Sequence, residues 1–460
     1  MHPSRSFMPR LLPWLLLILV LGLAACASPP QGPSRDWSGL AAPAEAVTIP
    51  IEHWTTSTGA RVYYVNAPEL PMLDVRVVFD AGSARDGDRP GLALLTNSLL
   101  EQGAGDLDAD AIAERMEGLG AQMGSGSARD MAWLTLRSLN DPELMEPALD
   151  LFARVLTRPR FVAADVERER QRLLVGLRHQ EQRPGEVASR AFYRALYGEH
   201  PYASPEVGSP ESVRVLQAEH LRAFHRQFYV GRNAVVALVG DLDRAAAERI
   251  AEQLTGDLAP GAPAAPLPPV MDLKTPVTER IRMSASQSHV LLGVPGKQRD
   301  DPDYFTLFVG NHVLGGSGLV SRISDEVREK RGLSYSAYSY FLPMAERGPF
   351  QLGLQTRNEQ VDEALQVLRD TLVEFRAEGP TEQELTAAKR NITGGFPLRI
   401  DSNRKIVEYI AMIGFYGLPL DYLDRFNAQV EAVTADQIRE AFQRRVDPER
   451  MVTVVVGGAD

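Results

Sequence analysis

The chain has 460 residues, of which 44% are hydrophobic and 24% are charged, a balance typical of a soluble globular protein with sizeable cores. Its length is enough for two or three ordinary domains. The formal net charge of −11 argues against nucleic acid as a partner and gives no sign of a basic face that would bind a membrane surface.

The N-terminal segment has the pattern of a targeting signal. Arg5 and Arg10 precede the apolar run Leu11–Leu21, which is too short and too early to be a membrane-spanning helix. The sequence Leu-Ala-Ala-Cys then ends at Cys26, and it resembles a bacterial lipoprotein signal in which the cysteine is acylated. An ordinary secretory signal with an incidental cysteine is the alternative.

We therefore expect a signal peptide over residues 1–25, lipidation at Cys26 and a flexible tether over residues 26–46. Ala27 is not the aspartate that similarity to enterobacterial lipoproteins associates with inner-membrane retention. This favours a bacterial cell-envelope lipoprotein on the outer membrane, facing the periplasm. Cys26 is the only cysteine, so an intramolecular disulfide is impossible.

The first globular half is predicted over residues 47–256. Met72–Ala81 alternates apolar and polar residues as a half-buried strand does, and a charged loop follows it. Gly91–Gln102 is a strongly apolar helix, and Ala163–Gln182 is a long one with solvated charges such as Glu167 and Glu169. Further helices include Ser212–Tyr229. The Val-rich run Asn233–Gly240 predicts a fully buried strand.

Residues 257–276 carry six prolines and predict an extended, semi-rigid linker. The second half, residues 277–460, repeats the outline of the first. Ser212–Gly240 and Val433–Gly457 each contain a polar cap, an amphipathic helix with a central Ala-Phe, a turn and a Val-rich strand that ends in glycine. The chain is therefore predicted to be a tandem duplication of an α+β unit.

A helix–turn–strand corner in the second half holds side chains that look directed at a ligand. The helix carries Leu319, Ile323 and Val327 at four-residue spacing, Gly332 caps it, and a strand is expected from Leu333. Arg328 and Tyr335 can meet across this corner. Their guanidinium and phenol groups can hold a peptide carbonyl, although a surface arginine and a packed tyrosine would give the same sequence.

The corner is preceded by the glycine cluster Gly315, Gly316 and Gly318. The cluster lacks the Lys-Ser/Thr that completes a phosphate-binding loop. A tight turn or a substrate-facing, glycine-rich loop is expected instead.

These features resemble the pitrilysin/insulinase family of zinc peptidases, over roughly Val47 to Gly457. The resemblance implies an α+β fold of two homologous α/β-sandwich domains in tandem, of the metalloenzyme LuxS/processing-peptidase type, arranged as a clamshell around a cleft. It also implies that Arg328 and Tyr335 contact substrate at a zinc site in another domain, with Gly315, Gly316 and Gly318 close to the substrate.

The zinc motif of that family, His-x-x-Glu-His, is absent from this chain. Its Gly-Leu-Ala frame is present at Gly91–Ala93, but Leu94 and Ser98 stand at the histidine positions and Asn97 stands at the position of the general base. Counting along the long helix places Gly176 where the family has its glutamate ligand. Leucine and glycine offer no zinc ligand, serine is a poor one, and asparagine cannot accept a proton at neutral pH.

No other catalytic motif replaces the lost one. The eight histidines form no His-x-x-x-His pair, which leaves only a metal site assembled in three dimensions. The single cysteine lies in the signal region, so cysteine catalysis is excluded.

The expected function is that of a zinc-less subunit of a heteromeric metallopeptidase. It would bind no cofactor itself and lend Arg328 and Tyr335 to a zinc-bearing insulinase-family homologue that cleaves peptides in the periplasm, with zinc in the partner. A non-enzymatic peptide-binding or scaffold protein of the cell envelope is the alternative. Autonomous peptidase activity through an unrecognised metal site is a third possibility.

Overall fold

The computed structural model describes residues 48–458. The predicted signal peptide, Cys26 and the tether lie outside this range. Within residues 48–458, no helix is both long enough and apolar enough to cross a membrane. The strands of the first half are β1 Glu52–Thr55, β2 Arg61–Asn66, β3 Met72–Phe79, β4 Gly103–Ala104, β5 Leu107–Asp108, β6 Gln122–Ser127, β7 Ala132–Leu139 and β8 Ala234–Gly240.

The helices of the first half are α1 Leu92–Ser98, α2 Ala109–Gly118, α3 Pro142–Thr157, α4 Ala163–Glu181, α5 Pro184–Tyr197, α6 Pro210–Arg214, α7 Ala218–Phe228 and α8 Arg244–Thr255. Six strands form one sheet in the order β1-β2-β8-β3-β7-β6, in which only the β2–β8 pair is parallel. Every residue of β8 is buried, as its unbroken apolar run predicted, because the sheet is covered on both faces there.

Residues 256–276 contain no helix or strand. The strands of the second half are β9 Val277–Arg282, β10 Ala285–Pro295, β11 Ala337–Phe341, β12 Pro349–Arg357 and β13 Val452–Gly458. They form a sheet in the order β11-β12-β10-β13-β9, again with one parallel pair, β13–β9. The helices are α9 Tyr304–Asn311, α10 Arg322–Ser324, α11 Val361–Glu378, α12 Glu382–Gly395, α13 Asn403–Tyr416, α14 Tyr422–Glu431 and α15 Ala435–Arg445.

One helix of each half packs on the sheet of the other half. Helix α13 packs on β3 and β8 of the first sheet, and α5 packs on β10 and β13 of the second. Glycines allow the close approach: a Cβ at Gly414 would lie 2.5 Å from the Tyr63 ring, and one at Gly293 would lie 2.5 Å from the Phe192 ring. The two halves therefore share buried surface across their boundary.

A buried carboxylate also joins the halves. Asp130, in the turn between β6 and β7, is 4% exposed. It accepts hydrogen bonds from Tyr202 Oη at 2.6 Å in the first half, and from the Ala345 amide at 2.8 Å and Tyr416 Oη at 3.0 Å in the second. Burial raises the pKa of this carboxyl group, while its three donors act in the opposite direction.

Two predicted helices are divided in the structure. Gly91–Gln102 becomes α1 and a 3₁₀ turn at Leu100–Gln102. Ser212–Tyr229 is interrupted after α6, because Gln217 adopts an extended conformation and caps α7 through reciprocal hydrogen bonds with His220. Periodicity alone does not reveal such breaks, since apolar residues continue through both of them.

Candidate functional site

The corner after α10 is a tight, fully capped reversal of the chain. The Ser321 side chain accepts a hydrogen bond from the Ser324 amide at the start of α10, and the helix continues as a π-helical turn over Asp325–Glu329. Gly332 has a φ of +60°, which favours glycine. The amides of Gly332 and Leu333 donate to the Arg328 and Val327 carbonyls at 2.9 Å, so the chain turns back immediately after Arg328.

This reversal brings Arg328 and Tyr335 together. The guanidinium carbon of Arg328 lies 4.6 Å from the centre of the Tyr335 ring, and its Nε lies 3.4 Å from a carboxylate oxygen of Glu329. Tyr335 is 82% exposed, and its hydroxyl makes no hydrogen bond within residues 48–458. The cation–π contact therefore orients an aromatic side chain that the chain itself leaves open to solvent.

The alternating pattern placed Tyr335 in a strand, and this prediction is wrong. Tyr335 precedes the strand, because β11 begins only at Ala337. Side chains fasten the preceding loop to β12 instead. The Ser334 hydroxyl lies 2.7 Å from the Gln355 carbonyl, and Thr356 Oγ1 donates to the Leu333 carbonyl at 2.6 Å. These contacts bury Ser334 and leave Tyr335 facing outward. They join residues distant in sequence, so the local pattern gave no signal for them.

The glycine cluster contains three different kinds of glycine. A Cβ at Gly315 would lie 2.3 Å from Ser339 Oγ on β11, and one at Gly316 would lie 2.8 Å from Asn311 Nδ2. Gly318 instead has a φ of +65° and open space around it. The first two glycines therefore permit close packing, and only Gly318 faces free space.

Leu319 does not lie where its spacing predicted. Leu319 was expected on the buried face of the helix with Ile323 and Val327, but it lies in a 3₁₀ turn before α10. Leu319 is 62% exposed and Val320 is 86% exposed, whereas Ile323 and Val327 are buried. The helix begins later than its periodicity suggested because Ser321 caps it.

Arg322 anchors the base of the corner. Its Nε and Nη2 donate to the two carboxylate oxygens of Glu384 at 2.6 and 2.7 Å, and Nη2 also donates to the Gly379 carbonyl at 3.0 Å. Partial burial raises the pKa of Glu384, but hydrogen bonds from Arg322 and Thr381 outweigh burial and lower it to about 2. This bidentate pair fixes the helix that carries Arg328 to α12.

At the helix that corresponds to the metal site, each polar side chain serves the fold. Asn97 is 1% exposed, and its Nδ2 donates to the Trp133 carbonyl at 3.3 Å and to Tyr229 Oη at 3.2 Å. Ser98 Oγ donates to the Leu95 carbonyl at 3.1 Å. Leu94 is half-buried. The two hydrogen bonds of Asn97 tie α1 to β7 and to the residue that follows α7.

The start of α1 is held by a buried carboxylate. Asp86 accepts hydrogen bonds from the Gly91 and Ala93 amides, both at 2.7 Å. Burial raises the pKa of Asp86 to about 7, against the lowering effect of those two amides. The carboxylate oxygens of Asp86 therefore already accept hydrogen bonds from amides at the start of α1.

The third ligand position offers no donor either. Gly176 is half-buried on α4, and no heavy atom lies within 4 Å of the place where its Cβ would be. Glu169, expected on a solvated helix face, is only 9% exposed and lies 3.5 Å from Arg172. Within residues 48–458, no group of three or more His, Cys, Asp or Glu side chains could hold a metal ion. The residues at the family's zinc position do not fit zinc.

Comparisons with known proteins bear on the fold and the family. The model described as "Insulinase (Peptidase family M16)" matches residues 61–209, and the model described as "Peptidase M16 inactive domain" matches residues 216–392. A relative from Streptomyces coelicolor, described as an uncharacterized zinc protease, is 30% identical over 88% of this chain and 89% of its own.

Two further proteins resemble most of the chain. A Helicobacter pylori protein described as a non-peptidase homolog is 25% identical over 86% of this chain and 91% of its own. The crystal structure of a peptidase M16 inactive domain from Pseudomonas fluorescens superimposes with a TM-score of 0.86 at 42% identity, over 89% of this chain and 98% of that one. The predicted fold class, two α/β-sandwich domains in tandem, is confirmed.

Proposed function

The chain belongs to the insulinase (M16) family of peptidases, as its sequence indicated, and from that premise we propose that it completes the active site of a zinc-bearing homologue. It is a peptidase-like protein of the inactive type, and the model of the inactive domain matches its residues 216–392. In the proposed heteromer, the partner supplies zinc and the general base, and this chain supplies Arg328 and Tyr335.

The contrast between the two sites supports this assignment. Asn97 is committed to hydrogen bonds inside the first half, and Leu94, Ser98 and Gly176 offer no good ligand. Tyr335, in contrast, is 82% exposed and is oriented by the guanidinium of Arg328. An exposed aromatic ring held in place without use inside its own chain suits contact with another molecule.

The chemistry of the pair matches peptide hydrolysis. The Nη atoms of Arg328 and the hydroxyl of Tyr335 donate to no acceptor within residues 48–458, so both remain available to a substrate carbonyl. A fixed cation and a phenol stabilise the negative charge that develops on that oxygen during attack by water. Gly318, the one glycine of its cluster with open space, leaves room for an extended peptide nearby.

The N-terminal pattern supports a location for this activity. Acylation of Cys26 would anchor the subunit to the outer membrane through lipid alone, and residues 26–46 would hold it in the periplasm. Globomycin-sensitive processing and radiolabelled palmitate incorporation would test the anchor. A Cys26→Ser variant that is still acylated would contradict it.

A reconstitution experiment tests the proposed function. Hydrolysis of a quenched fluorescent peptide library is measured with this protein, with a zinc-bearing homologue from the same organism, and with the mixture. Activity in the mixture well above that of the homologue alone is the expected result. The proposal would be contradicted if no sample hydrolysed the peptides, or if this protein did not change the activity of the homologue.

The second candidate is a non-enzymatic peptide-binding or scaffold protein of the envelope. The description of the Helicobacter relative as a non-peptidase homolog favours it. Binding of unfolded peptides without cleavage in any mixture would distinguish this role. Activity of this protein alone, together with stoichiometric metal in elemental analysis, would instead reveal an autonomous peptidase.

A further inference from the structure

A second candidate site surrounds Arg299, which lies between β10 and α9 in the second half. This residue follows β10 and lines three cavities, of about 380, 330 and 240 Å³. Neither Arg328 nor Tyr335 lines any of them. The site is therefore separate from the proposed peptidase function, and the inference does not rest on that function.

The guanidinium of Arg299 has few partners in the chain. Nη1 donates to Tyr304 Oη at 3.0 Å, and the guanidinium carbon lies 5.2 Å from the centre of the Tyr416 ring. Nε is buried without an acceptor. No carboxylate of residues 48–458 lies within 4 Å of this guanidinium, and Nη2 has no acceptor there. Because arginine stays protonated in proteins, the guanidinium is a positive charge with no carboxylate in direct contact, although Asp300 lines two of the three cavities with it.

The 330 Å³ cavity combines this charge with apolar walls. Its aromatic lining comes from α9, α13 and α14 and includes Tyr304, Phe308, Tyr409, Tyr422 and Phe426. The volume lies within the range of about 300–1,000 Å³ that is usual for small-molecule sites. Flat rings beside a cation are suited to a ligand that is apolar at one end and anionic at the other.

Other charges around this cavity are also mainly positive. Arg399 and Lys405 line it, and Arg399 makes no salt bridge within the described part of the chain. Lys405 is paired with Asp401 at 2.9 Å. Glu408 is the one acidic residue of the lining, and it lies 3.8 Å from Arg76. The balance of charge therefore favours an anion over a cation.

We propose that this cavity binds a small organic carboxylate carried on an aromatic group. The carboxylate pairs with Arg299, the ring packs among the aromatic side chains, and Arg399 adds attraction from the lining. The carboxylate can belong to a free small molecule or to the C-terminal residue of a short peptide, because the two present the same chemistry to the site.

The experiment is calorimetric titration of the purified protein with N-acetyl-phenylalanine and with N-acetyl-phenylalanine amide, which lacks the charge. The acid is expected to bind at least about tenfold more tightly than the amide. A Gly-Gly-Phe peptide with a free C-terminus identifies the source: about tenfold tighter binding than N-acetyl-phenylalanine assigns the site to peptide ends, and similar binding assigns it to the carboxylate itself.

Variants locate the binding. Arg299→Gln and Arg399→Gln are each expected to weaken binding of the acid by about fivefold or more, and Arg280→Gln, an exposed arginine paired with Asp362, is the matched control. Arg399→Gln keeps the test informative if Arg299→Gln does not fold. Equal affinity for acid and amide, no saturable binding, or equal affinity of Arg399→Gln and Arg280→Gln would overturn the proposal.

Discussion

Replacing Tyr335 by phenylalanine removes a single hydroxyl group and leaves the ring under Arg328. The side chain is 82% exposed, and its oxygen makes no hydrogen bond within residues 48–458, so the free energy of unfolding is expected to change by less than about 0.5 kcal/mol. In the reconstituted heteromer, loss of one donor to the developing oxyanion is expected to lower turnover about a hundredfold, or about 2.7 kcal/mol.

The assay is kcat for a fluorogenic peptide, measured with saturating variant subunit and a fixed amount of the zinc-bearing homologue. Tyr338→Phe is the matched control, because that tyrosine is on β11 close by, is 36% exposed and stacks on Tyr340. Subunit association is measured in parallel by analytical ultracentrifugation. Unchanged kcat for Tyr335→Phe would refute the assignment of the phenol, and a loss of association would reassign Tyr335 to the subunit interface.

Three further predictions concern stability. Burial lowers the pKa of His225 to about 4, whereas the pKa of histidine in the unfolded chain is about 6.5. As pH falls, the unfolded state therefore binds the proton first, and up to about 3 kcal/mol of stability is lost between about pH 6.5 and pH 4. Urea unfolding across that range should show this loss, and His225→Gln should remove it. For Glu384, with a pKa of about 2, the stabilisation is present above about pH 4.3 and is lost towards pH 2. After screening by solvent, this stabilisation amounts to about 1 kcal/mol. Thermal unfolding of Glu384→Gln at pH 7 should show a stability lower by that amount, and the stability of the variant should not fall further through this group at acid pH. Asp130→Ala leaves three donors without their acceptor at the junction of the halves and should cost about 3–5 kcal/mol in denaturant unfolding. A loss below about 1 kcal/mol would refute the view that these hydrogen bonds stabilise the junction.

The features that the sequence predicted well depend on local patterns. The unbroken apolar run of β8 identified a buried strand, because a strand covered on both faces has no polar alternation. The repeated helix–turn–strand endings identified the duplication, since the same order of polar cap, amphipathic helix, turn and Val-rich strand recurs at the end of each half. The meeting of Arg328 and Tyr335 was predictable for the same reason: they are seven residues apart across a turn that Gly332 permits.

The features that were predicted wrongly from the sequence depend on contacts between distant residues. Tyr335 lies outside β11 because Ser334 and Thr356 fasten its loop to a neighbouring strand. Glu169 was expected in solvent, yet α4 packs so as to bury it. A charged residue on a helix gives no sign of which neighbouring element will cover it.

The sequence by itself determined the family, the two α+β halves and the absence of zinc-ligating side chains at the motif positions, and it placed Arg328 and Tyr335 within reach of each other across a turn. Only the tertiary structure decided how the halves join through α5, α13 and Asp130, and which charges converge around Arg299. The physical reason is the range of the interactions. Secondary-structure periods and turns are encoded within a few residues, whereas burial and charge balance depend on side chains that folding brings together from distant parts of the chain.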